Sequence, residues 1–170
     1  MKYITTKKKQ AKRRRKPPVI LYDDREKRPW LFLQAPGYGW HMERVHLKTG
    51  DYTFKGREKT FVIEKKSGLA ELFGNLTAVN RPTFRNFLRR LSEYEVKAIV
   101  VEEDLSYLSR AVKIMKQKSK GKACMTEDTM YYWISRITID YKIPVLFLGS
   151  DIRVQCRMIH QLFVEAQECL

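Results

Sequence analysis

The stretches TGDY (49–52) and FVIEKKS (61–67) carry two acids and a lysine in a pattern suited to metal-assisted hydrolysis. Asp51 lies in one short strand-like segment, and Glu64 ends the next, with Lys66 two residues later. Side chains alternate along a strand, so Glu64 and Lys66 share a face. If the two segments pair through a hairpin at 55–59, Asp51 approaches that face too. Two carboxylates plus backbone oxygens are hard ligands that Mg²⁺ accepts while keeping several waters. A lysine beside such a cation can lower the pKa of an attacking water or orient it. Taken alone, the triplet is more cheaply read as ordinary surface ion pairs.

The surrounding sequence must supply the elements that hold these residues. VILYDD (19–24) reads as a buried strand entering acidic residues, and WLFLQ (30–34) is a second apolar run before the loop in APGYGW. RVHL (44–47) alternates, TGDYTF (49–54) turns into a short strand, and TFVIEK (60–65) carries Glu64. Leu69, Leu72, Phe73 and Leu76 then recur at core-facing helical spacing. Pro82 opens a second helix with Phe84, Phe87, Leu88 and Leu91 as its stripe and Arg85, Arg89 and Arg90 on its other face. KAIVVEE (97–103) is a central-strand candidate, and KIMKQKSKGK (113–122), with five lysines around one glycine, is expected to be a mobile basic loop. Thr126 with acids in the first turn starts a long helix over 126–142. IPVLFLGS (143–150) predicts a short buried strand. A closing helix over 151–167 has Ile152, Cys156, Ile159 and Phe163 in its apolar stripe. This order predicts one α/β domain over 18–170, a central mixed β-sheet flanked by α-helices.

Charge points to the partner. Lys and Arg total 34 against 19 acids in 170 residues, a net charge of +15. Such an excess favours a polyanion through phosphate neutralisation and counterion release. Residues 1 to 16 alone hold nine basic residues and no acid. The tail over 1–17 is therefore expected to be disordered, with Arg13, Arg14 and Arg15 reading as a phosphate-binding arm or a nuclear address. Its bland alternative is a solubilising tail. The three cysteines form no CxxC pair and suit neither a disulfide framework nor a four-ligand zinc site. No apolar run approaches a membrane span, and the N-terminus has charge where a signal peptide needs an apolar core. The expected setting is intracellular; the family resemblance set out below implies DNA beside it, in the cytoplasm or nucleoid of a prokaryote or phage-infected cell, or in a eukaryotic nucleus.

ILYDDRE, LKTGDY, VIEKKSGLAEL and NRPTFRNFLRRL occur in an order and spacing that resembles the XPF-type nuclease domain, a branch of the restriction-endonuclease-like group. The resemblance runs from about residue 18 to the C-terminus. Its signature is a D-x-R-E element, then G-D, then E-R-K followed by three residues and an acid. The resemblance implies a restriction-endonuclease-like fold and a Mg²⁺-dependent DNA endonuclease, with Mn²⁺ as a substitute. By the same resemblance Asp51 and Glu64 are the metal carboxylates, the Lys65 carbonyl is a further ligand, and Lys66 activates water. Asp23 and Arg25 match the first element, implying support for the metal and a grip on phosphate. Glu26 matches its last acid. Two positions depart from the signature. Lys65 replaces arginine, and Ala70 stands where the last acid belongs, with Glu71 one residue later. Either the longer arm of Glu71 compensates, or the helix starts one residue late.

Larger family members append tandem helix-hairpin-helix modules for DNA binding and dimerisation, which are not expected among these 170 residues. Arg81, Arg85 and Arg89, with Lys116, Lys118, Lys120 and Lys122, are the expected substitutes, a solvated charged face being their plain alternative. The expected partner is duplex or branched DNA. A homodimer through the C-terminal helix and Tyr131-Tyr132-Trp133 stays open, although core packing explains those aromatics more cheaply. Two rival functions remain: a non-catalytic DNA-binding module of the same fold, and a basic structural or ribosome-associated protein. The first typically loses the acid-and-lysine set that this chain retains, and the second leaves that set unexplained.

Overall fold

The structure, a computed structural model, describes residues 18–77, 79–118 and 125–170. Among them lie strands β1 (Ile20–Asp23), β2 (Met42–Val45), β3 (Tyr52–Phe54), β4 (Phe61–Lys66), β5 (Val96–Val101) and β6 (Val145–Phe147). They form one mixed sheet in the order β2-β1-β3-β4-β5-β6. β3 is antiparallel to β1 and β4, whereas β4, β5 and β6 run parallel. The predicted hairpin therefore exists, with Tyr52 opposite Ile63.

Among the described residues five α-helices cover the sheet: α1 (Leu69–Gly74), α2 (Arg81–Ser92), α3 (Leu108–Lys118), α4 (Glu127–Ile139) and α5 (Ile152–Cys169). The first four pack over one face, on Val62, Ile99 and Val101. α5 covers the other face, on Phe61, Ile63, Ala98 and Val100. This split is the strand alternation of β4 and β5 made visible. Phe163 of α5 touches the rings of Trp30, Trp40, Tyr52, Phe54 and Phe61 at centroid distances of 5.7 to 6.4 Å. That aromatic cluster fixes the floor beneath the strands that carry Asp51 and Glu64.

Several elements differ from the sequence expectation. Residues 113–118 are the end of α3, not a loop. Leu108, Ala111, Val112 and Met115 supply an i, i+3, i+4, i+7 stripe packed on the core, which the lysines between them masked. Residues 119–124 lie outside the described residues. WLFLQ forms a 3₁₀ turn over Leu31–Gln34, framed by Pro29 and Pro36. β6 is half-buried, as an edge strand with one neighbour must be. On α5, Ile152 is exposed and Gln155 takes the buried position instead, donating to the carbonyls of Glu102 and Gly149.

Candidate active site

All six residues of β4 are buried, although the last three are Glu64, Lys65 and Lys66. Three buried charges at the end of a central strand are costly unless each is partnered. Lys66 Nζ meets Glu64 Oε1 at 2.6 Å and Glu71 Oε1 at 3.4 Å. Asp51, one position beyond the Tyr52–Ile63 pair, accepts the Lys65 N–H on Oδ2 at 2.7 Å. The N–H and C=O of one strand residue point to the same side, so the Lys65 carbonyl opens toward Asp51 as well. No donor from the described residues reaches Asp51 Oδ1 or Glu64 Oε2. These groups edge a cleft of about 680 Å³ that also includes Arg25, Glu26, Thr49 and Glu71.

The electrostatics describe a site that wants a cation. Burial and the neighbouring charge of Glu64 push Asp51 up to about 7. Burial raises Glu64 too, against the pull of Lys66. Burial alone would lower Lys66, but the Glu64 charge and hydrogen bond, with Glu71, raise it instead. Lys66 thus stays an ammonium at neutral pH and acts as a positive hydrogen-bond donor. Two facing carboxyls that resist ionising together, with uncommitted oxygens and a carbonyl between them, fit a hard divalent ion.

Asp23 plays a different geometric part. Its Oδ1 accepts from Arg25 N at 2.9 Å and Nε at 2.7 Å, and its Oδ2 from Arg25 Nη2 at 2.9 Å and Leu47 N at 2.8 Å. Burial pulls its pKa up, but these bonds overcome that and hold it at about 2. Asp23 N also donates to the Asp51 carbonyl at 2.8 Å, tying the two segments together. Asp24 and His46 stand beside Asp23, with ligand atoms of the three within 4.8 Å of one another. Both Asp23 oxygens are already engaged by Arg25 and Leu47.

The family-model match covers residues 22–161 and is that of the ERCC4 domain. The chain belongs to the ERCC4 domain family. In fold it is similar to XPF from Aeropyrum pernix, with a TM-score of 0.62 and 19% identity, over 88% of this chain and 65% of that one. A second XPF structure from the same organism, in complex with DNA, gives a TM-score of 0.61 and 18% identity, over 89% and 66% of the two chains. This chain therefore spans just under two thirds of the length of those chains. No curated protein sequence matches it. The restriction-endonuclease-like architecture expected from the sequence is the one observed.

The structure gathers Asp51, Glu64, Lys65, Lys66, Glu26, Glu71, Asp23 and Arg25 around one cleft. Glu71 sits in the first turn of α1, its Oε2 accepting from Ser67 N at 2.9 Å and Ser67 Oγ at 2.7 Å. It thus points back to Lys66 from the position after Ala70. The Lys65 side chain leaves β4 on the face opposite Glu64 and Lys66, toward Glu26 at 3.4 Å, Glu102 at 3.5 Å and the Arg28 carbonyl. It also lies 5.9 Å from the Trp30 ring centroid, and Trp30 Nε1 donates to Glu102.

Other basic candidates lie elsewhere. Arg81 and Arg85 flank Trp133 on the far side of α2, Arg89 bonds Asn86, and Lys116 is on the exposed side of α3. At the cleft, α2 instead presents Phe87 and Arg90. Arg13, Arg14, Arg15, Lys120 and Lys122 lie outside the described residues, as does the side chain of Lys118. Gly50, the glycine of the G-D element, is a positioning residue not among the site residues expected from the sequence. Its φ is +73°, and a Cβ there would overlap Val62 Cγ2 and sit 3.1 Å from the Ile63 carbonyl oxygen. Its signal was the glycine before Asp51, since only glycine lets this bend press on β4. Gly50→Ala is expected to cost about 2–4 kcal/mol from left-handed strain plus steric overlap. Urea unfolding measures it, and a cost below about 1 kcal/mol would contradict this account of the bend.

Proposed function

We propose that this chain is a metal-dependent DNA endonuclease that hydrolyses phosphodiester bonds, with selectivity for branched or flapped duplexes in repair or recombination. The observation that carries this reading is the convergence of Asp51, Glu64 and Lys66 at one open cleft, with oxygens left uncommitted. Asp51, Glu64 and the Lys65 carbonyl would hold the ion, Mg²⁺ or in its place Mn²⁺. When bound, it supplies a nucleophilic water at neutral pH and neutralises charge building on the phosphate. Lys66 adds a fixed positive donor at the same edge and stabilises that charge. Glu71 orients Lys66, and Ser67 orients Glu71. Asp23 steers Arg25, whose guanidinium is mostly exposed at the cleft and suited to a DNA phosphate. The net charge of +15 supports DNA as the partner and an intracellular place beside it.

The test is a cleavage panel of labelled single-stranded, nicked, flap, fork and four-way DNA with Mg²⁺ or Mn²⁺. The wild-type chain should cut at least one branched substrate. Lys66→Ala and Glu64→Ala should each lower the rate by about 10²–10⁴-fold, the range for a positioned catalytic group. DNA binding in EDTA should be retained. Cleavage kept by both purified variants would remove this mechanism, and a wild type that binds without cutting would leave a binding module.

A further inference from the structure

Away from the cleft, three arginines surround one indole. Arg81, Arg85 and Arg136 place their guanidinium carbons 5.6, 5.4 and 5.7 Å from the ring centroid of Trp133, which is buried between α2 and α4. Arg136 is neutralised locally, since Nε lies 2.8 Å from Asp140 and Nη1 donates to the Tyr132 hydroxyl at 2.6 Å. Arg81 and Arg85 pair with no carboxylate of the described residues. Arg81 uses only Nε, on the Leu76 carbonyl at 3.1 Å. Like charges gathered this closely repel, and the indole quadrupole offsets only part of that. Held over the ring at these distances, Arg81 and Arg85 keep guanidinium N–H groups that no carboxylate of the described residues takes up, and a guanidinium can grip a phosphate bidentately.

Arg81 and Arg85 are one turn apart on one flank of the α2 apolar stripe. Phe87 and Arg90, on the other flank, line the cleft. The two sites are thus separated by roughly the width of a helix, about 10–12 Å. Duplex DNA carries roughly one charge per 1.7 Å of its axis, so an arm crossing α2 passes several phosphates over that width. We infer that Arg81 and Arg85, braced on Trp133, form a backbone-phosphate clamp for the DNA arm that leaves the cleft over α2. This rests on the proposal that DNA occupies the cleft and adds a second, separate contact.

The experiment measures binding of labelled duplex and fork DNA in EDTA, across a salt series, for wild type, Arg85→Ala and Arg81→Ala/Arg85→Ala. Each lost phosphate contact should lower the steepness of log K against log salt by about 0.9, so the double variant should lose about two contacts' worth. Affinity at low salt should fall at least tenfold. Should the double variant lose its fold with the Leu76 bond, Arg85→Ala makes no such bond and carries the test, with a loss of about one contact. Unchanged slope and affinity in the folded variants would overturn the clamp, as would a wild type that binds no DNA. If Lys66→Ala and Glu64→Ala both still cut while the slopes fall, the cleavage mechanism fails and the clamp stands.

Discussion

Asp51→Asn is expected to stop cleavage while making the metal-free protein more stable. The reason is the carboxyl pKa, raised by burial and by Glu64 to about 7 from an ordinary 3.8. A raised carboxyl favours the protonated fold. Its contribution is complete below about pH 4 and disappears as pH climbs to about 7, where the fold must carry a buried carboxylate facing Glu64. A tenfold change in proton affinity is worth about 1.4 kcal/mol, and sharing of the proton with Glu64 reduces the total to about 2 kcal/mol. Asparagine keeps the acceptor for Lys65 N–H and never ionises. In EDTA at pH 8, Asp51→Asn should therefore melt about 4–8 °C above wild type, and the gap should close as pH falls toward 4. Mg²⁺ should raise the wild-type melting temperature and leave the variant unmoved, because only wild type retains both carboxylates. A divalent ion held by these carboxyls would have to displace a proton, so wild-type affinity for Mg²⁺ should rise with pH up to about 7. A variant that melts below wild type at pH 8 would contradict the repulsion between Asp51 and Glu64.

Lys65→Met should be among the most destabilising single changes on β4. The ammonium is nearly sealed from solvent and serves Glu26, Glu102 and the Arg28 carbonyl together. Removing it leaves two half-buried carboxylates facing each other and a carbonyl without its donor. The expected loss is about 3–5 kcal/mol, the scale for breaking a buried ion pair from one side. Lys65→Arg, the residue of the family signature, should recover most of it. Adding Glu102→Gln to Lys65→Met should restore part of the stability, because the stranded negative charge is then gone. Chemical unfolding of wild type and these three variants measures this. Full stability in Lys65→Met would mean that the network contributes nothing. Activity should fall with stability, since the same strand carries Glu64 and Lys66 on its opposite face.

Different parts of the site were legible to different degrees. The pairing of Glu64 with Lys66 on one face follows from strand alternation, and the short turn at 55–59 made Asp51 their neighbour. Both required only local periods. The charged end of β4 misled in one respect, because a run of Glu-Lys-Lys in a sequence normally signals solvent. Here the whole strand is interior, and each charge survives through a partner brought to it by the fold. The lysines of α3 misled in the same way, hiding an apolar stripe that tertiary packing made decisive. The arginines of α2 were visible as a basic face, but the helix rotation sorts them to opposite flanks, Arg90 to the cleft and Arg81 with Arg85 to Trp133.

What the sequence by itself determined is the chemistry available: the acids, the lysine, their alternation, the basic charge and the motif order that marks the family. These are read within a few residues, where backbone periodicity dictates which side chains share a face. Only the tertiary structure decided how each group is used. It gave both Asp23 oxygens to Arg25 and Leu47, turned Glu71 back onto Lys66 from the position after Ala70, and set Glu102 and Trp30 against the Lys65 side chain on the opposite face of β4. The Leu47 and Glu102 contacts depend on sheet order, which brings together residues far apart in the chain. Those of Asp23 with Arg25 and of Glu71 with Lys66 are short-range, but turn and helix-start geometry set them and no hydrophobic period encodes them.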